Sequence, residues 1–294
     1  MRPVRLLCPK PTALKLKVSH VTEASGTGVR QVIFNQERPY LPEMFHSRNF
    51  RSRRGMMRLL VGFFCLLLVF GCGEQVPSDR SARILLLGDS MFASNKAVSG
   101  SVGDAIEAAL GLDVVDRSVL GARYFYALPI SGSIGLKLTA QYRPGPWDVI
   151  VLNGGGNDLL LGCGCGKCDD ILDRLISSDG RRGAIPAYVA ELRKSGAQVV
   201  YAGYMRNPGT TSPIKACGPA GNELDRRLAE LDRLDAGISF LPMSDLVPHG
   251  SLLYHQIDRI HPSRTGSREI GLRIARKIGP MLGRPPGTYV PAGD

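Results

Sequence analysis

From residue 83 onward, short apolar runs alternate with stretches of helical spacing, and that alternation leaves few ways to fold. The runs cover residues 83–87, 114–119, 147–152, 198–204 and 238–241. Each has the length of a strand; the first ends at Gly88 and the third at Gly154-Gly155-Gly156. Between them, residues 97–110 and 184–194 place apolar side chains at helical spacing, 222–234 form a charged amphipathic helix, and 267–282 a closing helix. Strands separated by helices need crossover connections, so the sheet runs parallel and both of its faces are covered. The expectation is an α/β protein: a mainly parallel five-stranded sheet inside a three-layer α/β/α sandwich. No internal repeat or linker interrupts residues 83–282, which read as one domain, with 283–294 as a tail.

Charge removes one class of function. The chain of 294 residues carries a formal charge of +11, which invites a nucleic-acid reading. Residues 1–72, however, hold 12 Lys/Arg against 3 Asp/Glu, a balance of +9. The remaining 25 Lys/Arg and 23 Asp/Glu leave residues 73–294 at only +2. The basicity belongs to the leader, and a nucleic-acid partner is not expected for the body.

The leader itself reads as a targeting segment. Residues 59–72 are uncharged and apolar, bounded by Arg58 and Glu74, and are too short for a membrane-spanning helix of about 20 residues. A basic flank, a short apolar core and a small residue before a cut describe a secretory signal. Its end, Val69-Phe70-Gly71-Cys72, resembles a bacterial lipobox, which implies lipidation of Cys72 after cleavage. Such a signal starts a few residues before its apolar core, so Met56 or Met57 is the expected start of translation. Residues 1–55 then read as a gene-start artefact or a disordered basic leader, 56–72 as the lipoprotein signal and 73–82 as a polar spacer. Gly73 after the lipidated cysteine points to the periplasmic face of the outer membrane. Without lipidation the protein is expected to be secreted or periplasmic.

Export also sets how the cysteines are read. Cys163, Cys165, Cys168 and Cys217 remain after the leader is removed. An even number in an oxidising compartment favours disulfides that staple a loop, with three complete pairings open. The Cys-x-Cys-x-x-Cys spacing with a distant fourth cysteine is also a zinc pattern.

In a parallel sheet, ligands bind beyond the carboxyl ends of the strands, so the residues there carry the functional reading. The first strand ends in Gly88-Asp89-Ser90, a hydroxyl at the entry to a helix where free backbone N–H groups can hold an oxyanion. Gly121 follows the second strand and lets the backbone approach a ligand. Gly155-Gly156-Asn157-Asp158 follows the third, with an amide able to donate to developing negative charge. Near the C-terminus stands Asp258-Arg259-Ile260-His261-Pro262. Three residues apart on one turn, the carboxylate of Asp258 can orient the ring of His261, whose far nitrogen takes a proton from a serine. His255 is the competing base, read as a loop residue. Tyr124, Phe125 and Tyr126 are candidates for a pocket wall or for packing, Asp89 and Asn153 for structural hydrogen bonds, and Arg123 and Arg206 for an acidic substrate group or solvent.

In this order the four blocks resemble the SGNH (GDSL-type) hydrolases over residues 83–282. The resemblance implies a flavodoxin-like fold and a serine esterase. Ser90 would be the nucleophile, His261 the general acid/base and Asp258 its orienter. The Ser90 N–H, the Gly121 N–H and the Asn157 amide would form the oxyanion hole. Neither metal nor organic cofactor is expected. Expected substrates are acyl esters of glycans, peptidoglycan or lipids, with short acyl groups such as O-acetyl favoured. The alternatives are a lysophospholipase or thioesterase, or a non-catalytic envelope-binding lipoprotein on the same scaffold.

Overall fold

The computed structural model describes residues 83–209 and 212–284. The leader readings, including Cys72 and the spacer 73–82, lie outside the described residues, as does most of the tail. Among the described residues no helix is long and apolar enough to cross a membrane.

Five strands form one parallel sheet: β1 (Ile84–Leu87), β2 (Val114–Asp116), β3 (Val149–Leu152), β4 (Gln198–Ala202) and β5 (Ile238–Leu241). Their order is β2-β1-β3-β4-β5, with Leu85 opposite both Val115 and Ile150. The main helices are α1 (Ser90–Ala93), α2 (Val102–Leu110), α3 (Gly156–Cys163), α4 (Asp169–Leu175), α5 (Ala184–Arg193), α6 (Gly218–Leu234) and α7 (Arg264–Ile278), and short helical turns include Pro129–Ser131 and Gly132–Leu136 between β2 and β3. Side chains alternate across a strand, so each strand feeds two cores. Leu85, Leu87, Ile150, Leu152 and Val199 meet Leu175, Ile185, Val189, Leu224 and Leu228 of α4, α5 and α6. Ile84, Leu86, Val149, Val151 and Val200 meet Ile106, Leu110, Ile270 and Ile274 of α2 and α7. Both faces of the sheet are thus covered by helices from within residues 83–284, and the three-layer α/β/α expectation holds.

Element ends differ from the sequence reading for local reasons. The helix expected from residue 97 starts at Val102, because Asn95 and Ser99 take left-handed φ values of 66° and 49°. Ser101 then caps it: the Asp104 N–H donates to Ser101 Oγ (3.3 Å) and the Ser101 N–H to Asp104 Oδ2 (2.8 Å). β2 stops at Asp116, whose Oδ1 accepts the N–H of Ser118 (2.9 Å). Beyond it the chain still runs beside β1, with the Arg117 and Val119 N–H groups donating to Leu86 and Gly88. β4 ends at Ala202 rather than 204, α6 starts at Gly218 with a proline in its first turn, and α7 starts at Arg264 behind the capping Ser263. The stretch around the cysteines, expected as a loop, is a short turn over residues 164–168 between the end of α3 and the start of α4.

The layer formed by α2 and α7 depends on one close approach. A methyl group on Gly271 of α7 would lie 2.5 Å from Ala105 Cβ and 2.9 Å from the Val102 carbonyl oxygen of α2. Gly271→Ala is therefore expected to lower the unfolding free energy by about 1–3 kcal/mol through overpacking. Chemical denaturation measures it, and an unchanged midpoint would contradict this packing.

Candidate active site

The site is built where β1, β2 and β3 end. At the end of β1 both polar groups of Gly88 are held by one side chain: its N–H donates to Gln141 Oε1 and its carbonyl accepts from Gln141 Nε2, each at 2.8 Å. Asp89 then caps α1, its Oδ1 accepting the Met91 N–H at 2.9 Å. That places Ser90 as the first residue of α1, half-buried and facing a cleft.

After β2, residues 119–122 form a turn closed by the Ala122 N–H donating to the Val119 carbonyl (3.1 Å), with Gly121 at φ 77°, a conformation that favours glycine. After β3, Asn157 sits in the first turn of α3 and its Nδ2 donates to the Ala122 carbonyl at 3.0 Å. One amide proton thus ties the third block to the second, and the other remains available. Asp158 points the opposite way. Its carboxylate accepts the N–H groups of Tyr124 (3.0 Å) and Phe125 (2.8 Å), while burial raises its pKa.

Asp258 and His261 meet through an Asx turn. Asp258 Oδ1 accepts the N–H groups of Ile260 and His261, both at 3.0 Å, and its Oδ2 lies 2.5 Å from His261 Nδ1. Burial raises the Asp258 carboxyl, but the hydrogen bonds from the His261 ring and the two N–H groups outweigh it and hold the pKa below its ordinary value. The carboxylate therefore stays ionised and fixes the ring through Nδ1.

Ser90, Asn157 and His261 line one cleft, with Asp258 behind the imidazole. Its other walls are mainly apolar: Leu159, Leu160, Met205, Ile214, Leu224 and Ile260. Gly121 is not among the lining residues and reaches the site through its neighbour Ala122. His255 is buried outside the cleft, and burial lowers its pKa. Tyr124, Phe125 and Tyr126 are used for packing: Tyr124 is in the core, Arg174 lies over the Phe125 ring and Arg123 over the Tyr126 ring. Arg206 lines the cleft, but its guanidinium is engaged with Asn222, Asp225 and the Tyr204 carbonyl. Asn153 is buried and its Nδ2 donates to the Ala202 carbonyl, joining β3 to β4.

The cysteines form two disulfides, Cys163–Cys168 and Cys165–Cys217. They staple the connection of residues 164–168, as expected, and tie it back to the end of α3 and across to the residue before α6, and the pairing leaves none of these four as a thiolate for zinc. Cys217 also lines the cleft, so the second disulfide links the turn after α3 to the opposite wall.

Sequence reasoning missed Gln141 and Tyr204. The Tyr204 hydroxyl donates to Asp89 Oδ2 at 2.5 Å and accepts the Gly156 N–H at 2.9 Å, bridging the turn of Ser90 to the turn of Asn157. Tyr204 follows an apolar run and reads as one more strand residue. Gln141 lies in a stretch with no period.

Residues 86–269 match the model of the GDSL-like lipase/acylhydrolase family. The chain belongs to that family. It is an SGNH/GDSL-type hydrolase acting on ester bonds. Among solved structures, an active-site mutant of a family two carbohydrate esterase from Clostridium thermocellum is 14% identical, aligned over 71% of this chain and 66% of that one, with a TM-score of 0.49. A lipase from a goat rumen metagenome is 17% identical over 70% of this chain and 99% of its own, at a TM-score of 0.45. An acetyl xylan esterase from Butyrivibrio proteoclasticus is 14% identical over 71% and 66%, at 0.44. The comparison with curated proteins found no match.

Asp89 carries a measurable consequence of this site. Burial is the largest influence on it, and only partly offset by the bonds from Tyr204 and Met91, so its pKa rises from 3.8 to about 6. A carboxyl with a raised folded-state pKa contributes stability that is complete below its unfolded value and is lost as the pH rises through its folded value. Asp89→Asn has no such loss, so its stability relative to the native protein should rise by roughly 3 kcal/mol between about pH 4 and pH 7. Urea denaturation across that range measures it, and a difference independent of pH would contradict burial as the cause.

Proposed function

We propose that this hydrolase cleaves carboxylic esters through an acyl-enzyme, with Ser90 as nucleophile, His261 as general acid/base and Asp258 as its orienter. The observation that carries the reading is the His261–Asp258 pair facing the same cleft as Ser90 and Asn157. In this reading Ser90 Oγ attacks the ester carbonyl while His261 Nε2 takes its proton. The oxyanion is met by the Asn157 amide and the N–H groups of Ser90 and Gly121. The tetrahedral intermediate collapses as the imidazolium returns the proton to the leaving alcohol. Water, activated by the same imidazole, then releases the acid.

For the acyl group the sequence favours short chains such as O-acetyl on glycan or peptidoglycan. The apolar wall of Leu159, Leu160, Met205, Ile214 and Leu224 supports a second reading, a lysophospholipase or thioesterase with a longer acyl chain. A non-catalytic envelope-binding role has less support, because nucleophile, base and oxyanion donors are all present. We place the protein at the periplasmic face of the outer membrane, lipidated on Cys72, on the strength of the lipobox and Gly73.

Two sets of variants test these proposals. Ser90→Ala in residues 73–294 should reduce hydrolysis of p-nitrophenyl esters to background. Asn157→Ala should cost about 100-fold to 1000-fold in kcat, and Asp258→Asn up to about 10,000-fold. The chain-length optimum from acetate to dodecanoate separates the two substrate readings, and undiminished hydrolysis by Ser90→Ala overturns the serine mechanism. Cys72→Ala should release the full-length protein from the membrane fraction and remove the lipid mass. Retention with unchanged mass would exclude the lipobox.

A further inference from the structure

We propose that the long connection from β2 to β3 is a docking element for an anionic lipid surface, which brings the Ser90 cleft against esters presented there. The proposal rests on the esterase reading for its substrate and on the surface of this connection for its partner.

The observation is where exposed aliphatic side chains occur. Among the described residues, none of the strongly exposed large hydrophobics stands on the outer faces of α2, α4, α5, α6 or α7. Two segments hold three each: residues 128–134, where Leu128, Ile130 and Ile134 are 64%, 83% and 74% exposed, and residues 252–257, where Leu252, Leu253 and Ile257 are 50%, 63% and 101% exposed and which run directly into Asp258. Leu120, on the β2–β3 connection, is also exposed. Apolar side chains placed singly need no explanation, but several on one short segment mark an interaction surface.

Charge selects the occupant. Residues 117–147 contain Arg117, Arg123, Lys137 and Arg143 and no Asp or Glu, in a body whose overall balance is +2. Lys137 and Arg143 are exposed, and the Lys137 N–H donates to the Gly132 carbonyl within the apolar segment (3.3 Å). Exposed aliphatic side chains on a segment that carries cations and no carboxylate are the pattern of an element that inserts at an anionic lipid interface. A protein partner's contact centre is instead typically rich in Trp, Tyr and Arg.

The segment is also braced to the site. Arg123 and the chain at 136–138 exchange two backbone hydrogen bonds, Arg123 N–H to the Leu136 carbonyl and Leu138 N–H to the Arg123 carbonyl, each at 3.0 Å. Gln141 then grips Gly88, two residues before the nucleophile, and the Ala122 carbonyl holds Asn157. The base of the connection is thus fixed to the nucleophile and oxyanion turns, while 128–134 points away from the core. A surface that engages the tip thus engages the segment that holds the Ser90 turn.

The test uses residues 73–294 carrying Ser90→Ala, so that binding is read without turnover and independently of the esterase proposal. Co-sedimentation is measured with phosphatidylcholine vesicles with and without phosphatidylglycerol. The expected result is salt-sensitive binding to the anionic vesicles. It should weaken about tenfold or more in the Leu128→Ser/Ile130→Ser/Ile134→Ser variant and severalfold in Lys137→Glu. With Ser90 intact, the triple variant should hydrolyse p-nitrophenyl acetate at the native rate. No binding to anionic vesicles, or equal binding by both variants, overturns the proposal. So does a dimer in sedimentation that the triple variant disperses, which would assign the face to a second copy of this chain. Vesicle binding without any ester hydrolysis by the intact protein would leave the docking surface standing and remove the esterase reading.

Discussion

Everything in this protein depends on burying a five-stranded parallel sheet on both faces at once. Ile84, Leu85, Leu86 and Leu87 of β1 have no exposed surface, and they divide alternately between the two cores. A strand in that position cannot offer its sides to a substrate. The chemistry is pushed to the edge where the strands end, and parallel pairing puts all five carboxyl ends on that same edge. The strand order changes direction on either side of β1, so β1 and β3 send their connections apart and leave a crevice between them. Ser90 follows the first of these strands and Asn157 the third.

An edge of this kind carries backbone groups that no ladder bond satisfies, and this chain closes them with side chains from remote segments. Gln141 satisfies Gly88, Tyr204 accepts the Gly156 N–H, Asp158 accepts two N–H groups of the β2–β3 connection, and Asn157 donates to Ala122. Buried polar groups are costly when unpaired, so these contacts act together and hold the turns in one arrangement. The cost appears at Asp89. Its carboxylate is needed as a cap and as the acceptor for Tyr204, yet burial there disfavours the charged form and pushes its pKa up to about 6.

How much of this was legible follows from the range of each contact. The strands and the two amphipathic helices α5 and α6 could be read because their apolar side chains repeat locally, and β5 was expected at its observed ends. The Asp258–His261 pair could be read because its partners lie three residues apart. The start of α2 at the Ser101–Asp104 box was written in the sequence but overrun by an apolar pattern that continues upstream. α3 and α4 were hidden because each is short and the stretch between them is built of glycines and cysteines, and the disulfides supply part of the order that propensity does not. Gln141 and Tyr204 lie 53 and 115 residues from the groups they hold in the Ser90 turn, a separation at which no local pattern marks a partner.

The same division of range explains why the His261 turn and the Ser90 turn are supported so differently. His261 is oriented by a carboxylate from its own turn, and backbone N–H groups of that turn fix the carboxylate in place. Its geometry needs little from the rest of the protein. The turn of Ser90 depends on remote segments: the β2–β3 connection through Gln141, and the stretch after β4 through Tyr204, which in turn is bonded by Gly156 of α3. A site assembled this way is sensitive to whatever moves those segments. The β2–β3 connection is the one that combines a fixed base at the Ser90 turn with an exposed apolar tip. Backbone bonds over residues 132–138 and the Gln141 amide tie that tip to the Ser90 turn, whereas the His261 turn is held by its own residues.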